Sequence, residues 1–354
     1  MSGFIVPTGN IIKEYLDERE ISQKELSQRI SVSERHLSQL LNGKTRLTEE
    51  MALKLEKAMP DVSAGYWLNY ETKYQEHYAR EKEKFNLESL DLKDISKRFH
   101  FGEVFGKTDL SLVDQAIEML KLLGVSDFEH FHCSIPKEAV AFMEDGGEKE
   151  AIVVWLRLCR EEAEDQNVNL EEVVYSKKAL KQSLAKLKKI ASNDNIEASL
   201  KSCRKLLNQL GIYLVVYPAI VNAKVRGALD TVNGHPAIYI SGRYKTHDII
   251  WFAIVHELAH LLFHYDLNKS VVFIDRVEGE TEAEDEVNAF ARDFFINSEE
   301  YENFKSSGNI RSDSELKRFA KDQGVAVGVI VGFLEFDEFL QRGEKNYLKS
   351  SKKA

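Results

Sequence analysis

The chain has 354 residues, with 48 Lys+Arg against 58 Asp+Glu, so its formal charge is −10 with histidines neutral. At about 150 residues per domain this length suggests two or three domains, and 43% apolar with 30% charged residues excludes a disordered chain. The longest uninterrupted apolar run, Ile249–Val255, falls short of the roughly 20 residues that cross a bilayer. Residues 1–10 lack an export signal, and Cys133, Cys159 and Cys203 stand in no CxxC spacing, which excludes a disulfide framework and a thiolate zinc site. A cytoplasmic protein with no membrane partner is expected. The acidic balance argues against coating nucleic acid by bulk charge, yet it leaves room for a small DNA-reading surface.

The first 80 residues read as short amphipathic helices. Ser22-Gln23-Lys24-Glu25 has the form of a capping box, which satisfies amide donors at a helix start. Leu26 and Ile30 mark one inward face and Leu37, Leu40 and Leu41 another, separated by Ser31-Val32-Ser33. Ser33 is placed to cap the second of these helices and Asn42-Gly43 to close it. This is the layout of a helix-turn-helix, in which Glu34–Leu41 would enter the major groove. Arg35, His36 and Gln39 would face base edges, while Ser33, Lys44 and Arg46 would hold phosphates. Residues 1–80 as a whole carry eleven basic and twelve acidic side chains, but residues 29–46 hold Arg29, Arg35, Lys44 and Arg46 against Glu34 alone.

Residues 81–195 are helical and heavily charged and carry no recognisable chemistry, so they read as a connector or dimerisation region. The turn-forming Ser192-Asn193-Asp194-Asn195 ends that region. Beyond it, Ile212–Tyr217 reads as a strand, and 228–232 with 237–241 flank Asn233-Gly234, a pair suited to a tight hairpin. A buried helix is expected over 246–263, with further helices over 280–297 and 313–341. The last twelve residues, 343–354, read as a flexible basic tail. The expected fold is mainly α with a small α+β domain: an all-α helix-turn-helix domain at 1–80, the connector at 81–195, and a domain with a short β-sheet at 196–342.

The most informative residues are His256-Glu257-Leu258-Ala259-His260. Histidines four apart lie one above the other on a helix, so both imidazoles reach one metal ion. Zinc is the expected ion, one per chain, and Glu257 stands next to the first ligand as general base. The flanks Trp251–Val255 and Leu261–Phe263 are apolar, so a buried polar set there is costly unless it is used. A third ligand is expected downstream. Glu284 shares a helix face with Asn288, which would then support the metal ligands; Glu280 lies on the same face and is the alternative.

Two resemblances add to this reading. The residues Pro7, Gly9, Ser22-Gln23, Glu25-Leu26-Ser27, Ser33, Leu40, Gly43-Lys44, Ala52, Trp67 and Tyr74 resemble the HigA-type antitoxins of the Xre/Cro helix-turn-helix family. That resemblance implies a repressor of its own or a neighbouring operon, commonly a homodimer reading an inverted repeat in operator DNA. The motif at 256–260, followed by Glu284-x-x-x-Asn288-x-Phe290-Ala291, resembles the ImmA/IrrE-type metallopeptidases over about residues 195–340. It implies a minimal gluzincin-like zincin with His256, His260 and Glu284 as zinc ligands and Glu257 as catalytic base. The family often follows this segment with a Leu-Leu-Met-Pro-like stretch, where this chain has Phe294-Phe295-Ile296-Asn297.

The same comparison makes Ala237–Ser241 a candidate edge for binding extended substrate, with Tyr239 and Ser241 as its residues, although a plain structural strand is an equal reading. Tyr239 and His235 are also candidates for hydrogen bonds to a developing oxyanion, and His264 reads as structural. Together the resemblances imply a DNA-binding regulator fused to a zinc-dependent endopeptidase that cuts a repressor or toxin-like partner, as in mobile-element or toxin-antitoxin control. The alternative is a non-catalytic antitoxin-like repressor whose C-terminal domain binds a toxin or senses zinc.

Overall fold

The computed structural model describes residues 5–134, 147–166, 170, 172–243, 245–265, 273–274 and 282–351. Residues Met1–Leu92 form one compact unit and Lys93–Ala354 a second.

The first unit is all helix: α1 (Thr8–Glu18), α2 (Gln23–Arg29), α3 (Glu34–Leu41), α4 (Glu49–Ala58) and α5 (Ala64–Glu88). Four hydroxyl side chains set four of the helix starts. Ser22, Ser33, Thr48 and Ser63 accept hydrogen bonds from the amides of Glu25, His36, Met51 and Tyr66. Ile12, Leu16, Leu26, Leu37, Leu40, Leu55 and Trp67 meet in one core. The capping box and the inward leucines read from sequence are therefore the residues that build this unit. The break expected at residue 80 instead falls inside α5, which continues to Glu88.

Helix α6 (Leu92–Arg98) starts at the last residue of the first unit, and the second unit goes on with α7 (Phe101–Val104) and α8 (Leu112–Leu123). It continues through α9 (Lys149–Glu164), α10 (Lys177–Ala191) and α11 (Ile196–Asn208) to β1 (Tyr213–Tyr217), β2 (Gly227–Val232) and β3 (His235–Ser241). After them come α12 (His247–Phe263), β4 (Phe273–Ile274), α13 (Glu282–Phe295), α14 (Ser298–Ser306), α15 (Asp313–Gln323) and α16 (Val327–Phe336). The sheet order is β1-β3-β2-β4. β2 and β3 form the antiparallel hairpin expected around Asn233-Gly234, while β1 lies parallel to β3 on its other side. Strand alternation turns Ile238 and Ile240 towards the core that holds α12, and Tyr239 towards Trp155 of α9.

Three further boundaries differ from the sequence reading. The stretch expected as a connector contributes α9 and α10 to the C-terminal unit: α9 packs on the sheet and α10 against α11 and α12. The reason is burial, since Val153, Val154, Trp155 and Cys159 of α9 and Leu180 and Leu187 of α10 are at or near zero exposure. The single helix expected over 313–341 is two, because Gly324 adopts φ +68 and closes α15 in a left-handed turn. The tail expected to be flexible is docked through residue 351. Lys349 Nζ lies 2.7 Å from Asp248 Oδ2 and 2.6 Å from Glu335 Oε2, and the His247 amide donates to Ser350 O at 2.9 Å.

Candidate metal centre

Helix α12 is buried nearly all round, because it lies between the sheet and α10, α13 and α16. His256, Glu257 and His260 are 1%, 0% and 2% exposed. The Nε2 atoms of the two histidines face each other at 3.1 Å, and Glu284 of α13 brings its carboxylate to 3.3 Å from His256 Nε2 and 3.4 Å from His260 Nε2. Three donor atoms of the three side chains thus lie within 4.8 Å of one another, the one such group among the described residues.

The donor set fits a divalent ion. Zinc bonds imidazole nitrogen at about 2.0–2.1 Å, so two ligands on a tetrahedron stand about 3.3 Å apart, close to the three separations seen here. Burial pushes the His260 imidazole below its ordinary value, against the opposing pull of Glu284. Burial alone would raise the Glu284 carboxyl, but the imidazoles of His256 and His260 beside it outweigh this and hold the acid well below the usual range. A histidine kept neutral cannot also be the cation that charges Glu284. Neutral imidazoles beside an ionised carboxylate are what a shared metal cation requires, and we take His260 as neutral because its burial is nearly complete.

The two histidines are oriented from behind. His256 Nδ1 lies 3.1 Å from Asn288 Oδ1, an acceptor, so its proton sits there and the lone pair of Nε2 points into the cluster. His260 Nδ1 lies 3.2 Å from His264 Nδ1, whose Nε2 is 3.5 Å from Glu286 Oε2. His264 therefore braces His260, a contact the sequence reading missed although its spacing of four from His260 signals it. Gly227 was missed as well. A Cβ at that first residue of β2 would stand 2.4 Å from Glu257 Oε1, so only glycine leaves space for the carboxylate. Nothing in a lone glycine before a strand reveals that.

Other expected residues fall elsewhere. Tyr239 and Ser241 are not on an edge, because β3 pairs with β1 on one side and β2 on the other. Tyr239 is fully buried and donates its hydroxyl to Asp230 Oδ2 at 3.0 Å, where Arg160 Nη1 also binds at 3.2 Å. Ser241 is 2% exposed. Neither can pair with a substrate strand. His235 begins β3, at the opposite end from Ile240, the partner of Gly227, so it is remote from Glu257. The strand beside Gly227 on the outer side is β4, paired with Ala228 and Leu229. The run Val271-Val272-Phe273-Ile274 is the signal that could have found it. Glu280 lies outside the described residues.

In the first unit, α3 presents Arg35 and His36 exposed and Gln39 half-buried, with Lys44 and Arg46 exposed beyond its end. Ser33 is committed to its cap, accepting from His36 N at 3.2 Å. Arg46 is 71% exposed and its Nε lies 4.0 Å from Glu71 Oε1.

Comparison with known families places both units. Residues 12–67 match the helix-turn-helix family model, and residues 208–334 match the IrrE N-terminal-like domain, a model of the M78 peptidase family. The chain is thus a helix-turn-helix DNA-binding regulator domain joined to a peptidase-family domain of metallopeptidase type. Among curated proteins it is 41% identical over 61 residues to an uncharacterised HTH-type transcriptional regulator, YddM, of Escherichia coli K12, a match covering 17% of this chain and 64% of that protein. It is 33% identical over 60 residues to virulence-associated protein A of Dichelobacter nodosus, covering 17% of this chain and 59% of that protein. The chain thus spans about three fifths of the length of these relatives. No described helix is long and apolar enough to cross a membrane.

Proposed function

We propose that this protein is a cytoplasmic transcriptional regulator that binds operator DNA through its helix-turn-helix and uses a zinc-dependent endopeptidase domain, one zinc per chain, to cleave a repressor or toxin-like partner protein. The observation that carries the reading is the meeting of His256, His260 and Glu284 around one point, with buried Glu257 on the same helix as the two histidines. Zinc held by those three side chains would supply Lewis acidity towards water and the scissile carbonyl.

The chain's own residues do the rest. Glu257 takes a proton from the attacking water on its carboxylate and passes it to the leaving amide nitrogen, while the water oxygen joins the carbonyl carbon and the C–N bond breaks. Asn288 and His264 hold the two imidazoles so that no reorientation is needed during turnover. In the other unit, Arg35, His36 and Gln39 reach base edges and Ser33, Lys44 and Arg46 hold phosphates, with two chains paired on an inverted repeat.

The test is incubation of zinc-loaded protein with each neighbouring gene product, followed by identification of the fragments. A defined cut made by the wild type and lost in Glu257→Gln supports the reading. Cleavage unchanged in that variant removes Glu257 from the mechanism, and absence of any cut by the wild type favours a regulator that binds its partner without turnover.

A further inference from the structure

Helix α10 carries Lys177, Lys178, Lys181, Lys186, Lys188 and Lys189 and no acidic residue. Five of the six are exposed and Lys188 is half-buried, while Leu180, Leu187 and Ala191 face the core. At 3.6 residues per turn, Lys177, Lys178, Lys181, Lys188 and Lys189 fall within an arc of about 120°, and Ser192 extends the middle of that arc. Ser192 in turn lines a surface cleft with Lys317 and Lys321, which lie four apart on α15. The basic face therefore runs from one helix onto another. From Lys177 to Lys189 it covers about 18 Å.

The dipole of α10 favours Lys188 and Lys189 in its last turn, but two features set the remaining charges apart. Lys177 and Lys178 sit in the first turn of α10, where the helix dipole is positive and no acidic residue offsets them. None of the six lysines has an ion-pair partner among the described residues. In a chain of charge −10, this face is a local positive field that attracts a polyanion.

The chemistry selects the anion. The cations on α10 are all lysines, point charges suited to phosphate rather than the paired donors with which arginine grips carboxylates. The helix has no aromatic side chain to stack unpaired bases, so a single strand is a poor match. A long, straight row of point charges fits the regular phosphates of a duplex.

We infer that the lysine face of α10, continued by Lys317 and Lys321 of α15, binds the phosphate backbone of duplex DNA without regard to sequence. This rests on the DNA-binding reading of the helix-turn-helix and adds a second contact, from the peptidase-family unit. The second contact supplies affinity and the helix-turn-helix supplies the choice of site.

The experiment measures binding of full-length protein to a labelled duplex of its own promoter and to a scrambled duplex of equal length, each over a range of salt concentrations. Lys178→Gln, Lys181→Gln, Lys189→Gln and Lys321→Gln are combined in one variant, and Arg35→Ala is made separately; glutamine preserves helix propensity, and a thermal melt checks the fold. Each lost phosphate contact lowers the slope of log affinity against log salt by about 0.9, so the combined variant is expected to lose about three to four from the slope on both duplexes. It keeps its preference for the promoter, which Arg35→Ala loses. An unchanged slope on the scrambled duplex overturns the inference whatever the promoter preference. Loss of binding to a polyglutamate probe with an unchanged DNA slope also overturns it and assigns the face to an acidic protein. Failure of the promoter preference alone would count against the helix-turn-helix reading and leave the lysine face supported by its slope.

Discussion

The helix-turn-helix surface and the candidate metal centre solve opposite problems. Arg35, His36, Lys44 and Arg46 are exposed side chains whose partner must arrive from outside, and little but a sound helix holds them in place. His256, Glu257 and His260 are almost wholly buried, and each imidazole has its rear nitrogen fixed by Asn288 or His264. The first site is made by local structure. The second exists only because α12 and α13 are pressed together by the core behind them. Substitutions in the exposed surface should therefore change binding alone, while those around the buried centre should couple chemistry, metal and stability.

The largest effect expected is that of Glu257→Gln, which should lower cleavage by about 10²- to 10⁴-fold while zinc content, measured by elemental analysis, stays at that of the wild type. Lys349 tests the coupling from a distance. It is buried between Asp248 at the start of α12 and Glu335, so Lys349→Met should destabilise the C-terminal unit by about 3 kcal/mol in denaturant unfolding and loosen the metal helix with it. Burial pulls the ammonium of Lys349 down, but its hydrogen bonds to Asp248 and Glu335 outweigh this and raise its pKa. A raised cationic pKa stabilises fully below the ordinary value of about 10.4 and less as pH rises through the folded value. The difference in stability between wild type and Lys349→Met should therefore shrink only in alkali, and a difference that vanished near neutrality would exclude the ion pair.

Smaller changes sharpen the contrast. Asn288→Ala should weaken zinc about 10- to 100-fold in a chelator competition without moving the thermal melt of the apo-protein. Equal zinc affinity in that variant would mean that α13 alone fixes His256. On the other surface, Arg35→Ala should cost about 1–3 kcal/mol of promoter binding at fixed salt and leave both the melting temperature and the zinc content unaltered. A fall in either would show that the two units are less independent than their separate cores suggest.

Local patterns identified much of this in advance. Ser22 and Ser33 appear as caps because an N-cap hydroxyl acts within three residues, and the Asn233-Gly234 hairpin because its turn is set by two. His256 and His260 were legible together because a helix brings residues four apart onto one face. Glu284 and Asn288 formed a pair for the same reason, but only the packing of α13 against α12 sets that pair before the histidines.

What stayed hidden depends on pairing across long stretches of chain. Whether 237–241 is an edge is decided by β1, about 20 residues away, which takes its free side in parallel. The place of α9 in the C-terminal unit, and the docking of the lysine-rich tail on Asp248 and Glu335, likewise follow from partners far along the chain. The amino-acid sequence by itself determined the helix caps, the hairpin turn and the pairing of His256 with His260, because capping, turn and helix-face rules act over a few residues. Only the tertiary structure decided which carboxylate meets the histidines, which glycine makes room for Glu257 and which strand is left at the edge, because those depend on burial and on contacts that no local spacing encodes.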